Sequence, residues 1–254
     1  MRALVGTSGW SYGHWRERVY PPKLPQRAWL PWIAERFPTV EINASFYHLP
    51  PARTFATWRA ATPDDFVFAV KANRYITHIR RLRDAGDSVT RFWEAASALG
   101  PKLGPVLVQL PPRFAIDVPV LRAFLATLPR AMRPAFEFRD ASWDTDEVRA
   151  MLSDAGAAWV LDDRPGWRVP SHVTASWSYV RFHQGRPTSP WYPRDKLRRW
   201  ADRLATLPVD ELFVYFNNDP EGAAIADART LIGLLAERGV DVSSASIAGT
   251  PASP

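Results

Sequence analysis

Cysteine is absent from this chain. That removes disulfides, thiolate metal sites and thiol nucleophiles together, and it fits a cytoplasmic protein. No apolar run approaches the roughly 18 residues a membrane span needs, so no membrane partner is expected. The opening MRALVGTSGW has a short apolar patch but lacks signal-peptide architecture, and reads instead as a first strand. Lysine is scarce. Lys23, Lys71, Lys102 and Lys196 are the only ones, so the net charge of +6 rests on arginine. The arginines are dispersed except in Arg74–Arg83 and Arg194–Arg203. Each of these basic stretches reads as a solvated helix or loop face. Nucleic-acid binding or processing through such outer loops is the alternative reading. G-x-S-x-G, H-E-x-x-H and P-loop motifs are missing, which removes support for serine hydrolase, zincin and nucleoside-triphosphatase chemistry.

What the chain does have is a regular alternation. Its 254 residues, 46% of them hydrophobic, suffice for one large core. Short apolar runs end in polar residues at Leu4–Thr7, Thr39–Asn43, Phe66–Lys71, Pro105–Gln109, Arg133–Arg139, Ala157–Leu161, Tyr179–His183 and Leu212–Phe216. Between them lie helical patterns at Trp29–Phe37, Ala52–Ala60, Ser88–Leu99, Asp117–Leu128, Asp144–Ala155, Arg194–Leu207 and about 220–238. The Pro- and Gly-rich Arg164–Ser176 shows no helical pattern. Alternating β and α units imply a parallel sheet with helices outside, and eight units match a single (β/α)8 TIM-like barrel with helix six reduced or replaced by a loop. An open doubly wound sheet would want G-x-G-x-x-G after strand one, and Gly6-Thr7-Ser8-Gly9-Trp10 does not supply it. The barrel is expected over 1–240, with 241–254 a disordered tail.

One stretch, RPAFEFRDASW at Arg133–Trp143, carries more than a strand requires. A strand sends alternate side chains to opposite faces, so Glu137 and Arg139 share one and Phe136 and Phe138 the other. Asp144-x-x-Glu147 reads as the capping box of the next helix, and Asp219-Pro220-Glu221 as the cap of the last. Similar polar residues close nearly every strand: Ser8, Glu41, Asn43, Lys71, Gln109, Asp162, Arg181, His183 and Asn217. Barrel sites lie at this C-terminal mouth. Three carboxylates there (Glu41, Glu137, Asp162) face three cations (Lys71, Arg139, Arg181). His183 is the one strand-end histidine, the side-chain type that changes charge near neutrality. Glu41, Glu137 and His183 also form a conceivable divalent-metal set, which would make a metal-dependent hydrolase or isomerase. The interspersed cations favour a metal-free polar site with no cofactor. Trp10, Tyr12, Trp15, Phe46, Tyr47, Trp143, Trp191 and Tyr192 lie in the loops above it, either to stack on flat ligands or to build loop cores.

At these residues the chain resembles a known family. GTSGWSYGHW, TVEINASFYHLP, FVFAVKANRYITH, LVQLPPRF, AFEFRDASW, YVRFHQGR and VYFNND are similar, in that order, to the motifs of the DUF72 or YecE-like family, over Val5–Leu235. The resemblance implies a TIM-like barrel and no particular reaction. Two departures stand out. The family's R-x-H-G is interrupted here by Gln184 between His183 and Gly185, and Asp219 stands where its N-N-H motif has histidine.

The resulting expectation is an enzyme, of hydrolase, lyase or isomerase type, doing metal-independent acid/base chemistry on a small polar or anionic, sugar-like molecule. Glu137 and His183 would move protons. Lys71, Arg139 and Arg181 would neutralise substrate charge. Glu41, Asn43, Gln109, Asp162 and Asn217 would orient it, with Trp10, Tyr12 and Tyr47 at the rim. A non-catalytic small-molecule-binding barrel is the remaining reading, and the oligomeric state is left open.

Overall fold

The period-2 alternation of each strand resolves into an inward and an outward face of a closed barrel. The computed structural model describes residues 1–164, 173–183 and 189–242. In chain order these form β1 (Arg2–Ser8), α1 (Trp29–Ala34), β2 (Thr39–Ile42), α2 (Ala44–Tyr47), α3 (Ala52–Ala60), β3 (Val67–Lys71) and α4 (Gly86–Ala96). There follow β4 (Leu103–Gln109), α5 (Val118–Thr127), β5 (Pro134–Glu137), α6 (Asp146–Asp154), β6 (Ala158–Asp162), β7 (Trp177–Phe182), α7 (Arg194–Ala205), β8 (Glu211–Phe216), α8 (Ala223–Ala236) and β9 (Asp241–Val242). Strands β1 to β8 pair in parallel around a ring that β1 closes by bonding both β8 and β2. No helix among the described residues is long and apolar enough to cross a membrane.

The inward residues explain why the barrel fills and where it becomes polar. Leu4, Ala69, Leu107, Ala135, Ala158, Val160, Trp177, Tyr179, Phe213 and Tyr215 form one buried cluster. The small side chains come from β3, β5 and β6 and the large aromatics from β7 and β8, so one wall fills the space the other leaves. Outward residues build two further clusters under the helices. Moving up β7, the inward positions read Trp177, Tyr179, Arg181, an apolar layer, then phenols, then charge. Burying these apolar side chains at about 1.5–3 kcal/mol each holds the polar layer in place.

Three expectations are corrected. Asp241–Val242, assigned to the tail, pairs with Arg2 and Ala3 of β1. The reason is an open edge, since β2 bonds β1 only at Thr7 and Ser8. The cap of α6 is Thr145, whose hydroxyl accepts from the Val148 amide at 3.2 Å, while Asp144 pairs with Arg149 instead. The turn Ala141–Trp143, capped by Asp140, delays the helix start. Asp219 makes no side-chain cap. Its carboxylate lies 3.2 Å from His14 Nε2 and its carbonyl accepts from Trp15 Nε1 at 2.7 Å, so it ties the loop after β8 to the loop after β1. Asp117 does cap α5, accepting from the Val120 amide. Of the helix-free stretch Arg164–Ser176, residues 165–172 lie outside the described residues, as do Gln184, Gly185 and 243–254.

Gly6 sits where β1 and β2 approach most closely. A Cβ there would stand 2.0 Å from the Thr39 carbonyl oxygen, so any side chain must push the strands apart. Gly6→Ala is therefore expected to cost about 2–4 kcal/mol in urea unfolding, by overpacking against backbone. A variant within about 0.5 kcal/mol of wild type contradicts this placement.

Candidate active site at the barrel mouth

Arg181, on β7, lies across the centre of the mouth and is 1% exposed. Its Nη1 donates to Glu137 Oε2 at 2.7 Å and its Nη2 to Glu41 Oε1 at 2.8 Å. Glu41 also accepts from the Ser8 hydroxyl at 2.7 Å and the Tyr179 phenol at 2.6 Å. Both carboxylates are fully buried. Burial is the largest single influence and pushes each acid up, but Arg181 and the other neighbours together outweigh it. The Tyr179 phenol and Lys71 then help hold Glu41 below the usual carboxylate range, and His183 and Arg139 hold Glu137 well below it. Burial pushes the Tyr179 phenol up, and the Glu41 carboxylate pushes it further, so it is a fixed donor. Truncating one member of such a network would leave a buried charge unpaired, at a cost of about 3–5 kcal/mol.

Arg181, expected to neutralise substrate charge, spends both terminal nitrogens on protein carboxylates, while its buried Nε has no partner among the described residues. Glu137 Oε1 is the hub on the open side. It accepts from Gln109 Nε2 at 2.8 Å and from Arg139 Nε at 3.1 Å. His183 Nε2 stands 3.6 Å away, beyond hydrogen-bond length, and is buried without a partner. The His183 amide is pinned by Asp163 Oδ1 at 2.8 Å, and Asp163 is itself held by Tyr192 and Lys196.

Lys71 ends β3 and is 9% exposed. Its Nζ donates to Gln109 Oε1 at 2.9 Å and lies 4.2 Å from the centre of the Phe46 ring. No carboxylate among the described residues pairs with it. Burial chiefly, then Arg181, pulls its ammonium down to about 8, against Glu137 and Glu41. His78, inside the basic stretch Arg74–Arg83, is a site residue the sequence reading passed over. The wide helical turn Tyr75–Ile79 sets its ring edge-on to Phe46 at 4.9 Å. Burial, then Lys71 and Arg139, pull it down to about 4, so it is neutral near pH 7.

The other expected residues separate. Asp162 is paired with Arg164 at 2.7 Å, and burial followed by nearby Glu137 pushes its carboxyl up. Asn217 closes β8 through its amide, which donates to Phe182 O at 2.8 Å. Its neighbour Asn218 bonds Asp227 and the Pro190 carbonyl, each at 2.7 Å, as a structural tie. Asn43 has a buried Oδ1 without a partner and lines a cavity of about 610 Å³. Trp10, Tyr12, Tyr47 and the unforeseen Trp58 share that cavity with Gln26 and Arg27. Trp15 and Trp143, by contrast, are fully buried loop cores.

Among the described residues no group of three His, Asp or Glu is placed to hold a metal ion. In the set Glu41, Glu137 and His183, the guanidinium of Arg181 bridges the two carboxylates where the ion would sit. Of the basic stretches, Arg80 and Arg83 pair with Asp84 and Asp117. Lys196, Arg199, Trp200 and Arg203 of the other line a shallow groove of about 320 Å³.

A closed parallel barrel whose strand ends gather one buried polar cluster has the architecture of TIM-type barrel proteins. Residues 4–252 match the family described as "Protein of unknown function DUF72", and the chain belongs to that family. It is 29% identical to the UPF0759 protein YunF of Bacillus subtilis, over 91% of this chain and 94% of that one. It is 34% identical to the UPF0759 protein YecE of Escherichia coli, over 67% of this chain and 63% of that one. A DUF72 family protein from Thermotoga maritima superposes with a TM-score of 0.83 at 27% identity, covering 93% of this chain and all of that one.

Lys71 gives a signed stability prediction. The unfolded chain keeps this ammonium to about pH 10.4, whereas the folded chain releases it near pH 8. Between those values the unfolded state binds more protons, so the contribution of Lys71 to stability rises with pH and is lost as pH falls through 8. Lys71→Met is expected to be about 1–2 kcal/mol more stable than wild type near pH 7, after the lost Gln109 hydrogen bond is counted, with the gain fading by about pH 10.5. Chemical denaturation at both pH values checks it; a variant less stable at both contradicts it.

Proposed function

We propose that the mouth is an active site for metal-independent acid/base chemistry on a small anionic, polar molecule. One observation carries this reading: His183 Nε2 is buried at the mouth, 3.6 Å from an ionised Glu137, with no hydrogen-bond partner among the described residues. An imidazole so placed moves a proton to or from a bound molecule, and the carboxylate beside it stabilises the imidazolium that forms. Glu137 itself stays ionised, held by Arg181, and serves as that fixed anion. It is the weaker proton acceptor of the expected pair.

Charge supports the anionic substrate. Arg181 and Arg139 balance Glu41 and Glu137, and Arg164 balances Asp162, which leaves Lys71, among the described residues of the mouth, as a cation without a paired carboxylate. Among the described residues Arg139 donates through Nε alone and its side chain is 25% exposed, so its terminal nitrogens are open to a carboxylate or phosphate that accepts a forked pair. The aromatic cavity beside Asn43 suits a flat or ring-shaped portion of the same molecule, with Asn43 Oδ1 accepting from its donor.

The test is solvent exchange. Protein in D2O is incubated with a panel of small hydroxy acids, oxo acids and sugar phosphates, and loss of C–H signals is followed by proton NMR. At least one compound is expected to exchange, with the rate unaffected by EDTA and lowered about 10²–10⁴-fold by His183→Ala. Exchange that survives His183→Ala, or no exchange and no binding across the panel, overturns the assignment.

A further inference from the structure

Four lysines occur in the chain, and their surroundings differ in kind. Lys102 Nζ is held by the carbonyls of Arg59 and Thr62, far from the mouth residues in the fold, and Lys196 pairs with Asp163 at 2.8 Å. Lys23 is exposed. Lys71 alone ends a barrel strand with its amine buried, free of any carboxylate among the described residues and oriented by a side-chain amide. Gln109 fixes this amine relative to the hub. It accepts from Lys71 Nζ at 2.9 Å through Oε1 and donates to Glu137 Oε1 at 2.8 Å through Nε2. Arg139 and His183 lie at the same Glu137 oxygen. An amine, a guanidinium and an imidazole whose Nε2 has no partner among the described residues thus gather around one Gln109–Glu137 pair, within the reach of a few-carbon molecule.

We infer that Lys71 is a nucleophilic amine that forms an imine with the carbonyl carbon of a small oxo acid, whose acid group is held by Arg139. The inference rests on the reading of the mouth as an acid/base site and names its substrate class. Burial, then Arg181, disfavours the ammonium form, while Glu137, Glu41 and the face of the Phe46 ring oppose them, and the balance near 8 leaves a fraction of the amine with a free lone pair near neutral pH. Nζ attacks the carbonyl carbon, a C–N bond forms and one amine proton passes to the oxygen, giving a carbinolamine. The nitrogen lone pair then forms C=N as the C–O bond breaks. His183, as imidazolium, supplies the proton that leaves with that oxygen as water. The products are a protonated imine and water, and no oxidant or reductant takes part. Glu137, the fixed anion beside these groups, offsets the positive charge of the imine, which acts as an electron sink for proton removal at the neighbouring carbon.

Reductive trapping tests this. Full-length protein is treated with pyruvate, glyoxylate or the neutral glyceraldehyde, together with sodium cyanoborohydride. Adducts are located by intact mass and peptide mapping. With an oxo acid, Lys71 is expected to be labelled at least tenfold faster than Lys23. Labelling at that site vanishes in Lys71→Met, whereas Lys23 is labelled as before. Arg139→Ala is expected to slow pyruvate labelling of Lys71 at least fivefold, and glyceraldehyde labelling much less. Equal rates at Lys71 and Lys23 in wild type overturn the proposal without reference to any variant. If Lys71 is not selectively trapped but exchange still depends on His183, the imine is wrong and the acid/base reading stands. If exchange also fails, both fall.

Discussion

One guanidinium organises this molecule's functional end. Arg181 is buried at the top of the barrel lumen and holds Glu41 and Glu137, from β2 and β5, three strands apart in the ring, at hydrogen-bond distance. Three charges this deep are tolerated because they pair with one another and the carboxylates are further bonded by Ser8, Tyr179, Gln109 and Arg139, while Arg181 Nε stays buried without a partner among the described residues. The apolar lumen below has a matching shape, with aromatics from β7 and β8 filling against alanines from β3, β5 and β6. Fold and site therefore share a boundary, the phenol layer of Tyr179 and Tyr215, where packing gives way to charge.

The arrangement above Arg181 follows from its two terminal nitrogens being engaged by Glu137 and Glu41. Because its terminal nitrogens are committed, Glu137 is ionised but neutralised, and its second oxygen becomes a fixed acceptor for Gln109 and Arg139 with His183 alongside. Because the carboxylates are matched by guanidiniums, none remains for Lys71. A buried amine without a counter-ion lowers stability, and such an arrangement marks functional sites where reactivity and stability conflict.

Much of this was legible in the sequence. Buried parallel strands are short apolar runs bounded by breakers, so all eight were found within a few residues. Their alternation placed Glu41, Glu137, Arg139, Arg181 and His183 on the inner face before any coordinates. The partnerships were not legible. Arg181 and Lys71 hold equivalent strand-end positions, yet one is consumed by protein carboxylates and the other is not, because pairing depends on distances across the ring. Asp162 looked like a third site carboxylate, but its partner Arg164 is only two residues on. His78 was hidden in a stretch that reads as solvated charge, and only the Tyr75–Ile79 turn folds it back on Phe46. Trp10 and Trp15 share a loop, and no residue pattern says that one lines a cavity and the other is core. Asp219 has the sequence context of a helix cap, yet a contact distant in sequence, with His14, claims its side chain.

The central quantity is the protonation of Lys71 above an Arg181 whose two terminal nitrogens are committed. With four lysines in the chain, ε-15N-labelled protein gives four resolvable amine signals that can be titrated by NMR. One signal, lost in Lys71→Met, is predicted to titrate near pH 8, well below the ordinary lysine range of about 10.4. If the signal assigned to Lys71 titrates in that ordinary range, the amine has a counter-charge that this arrangement of the mouth does not contain, and the account is wrong.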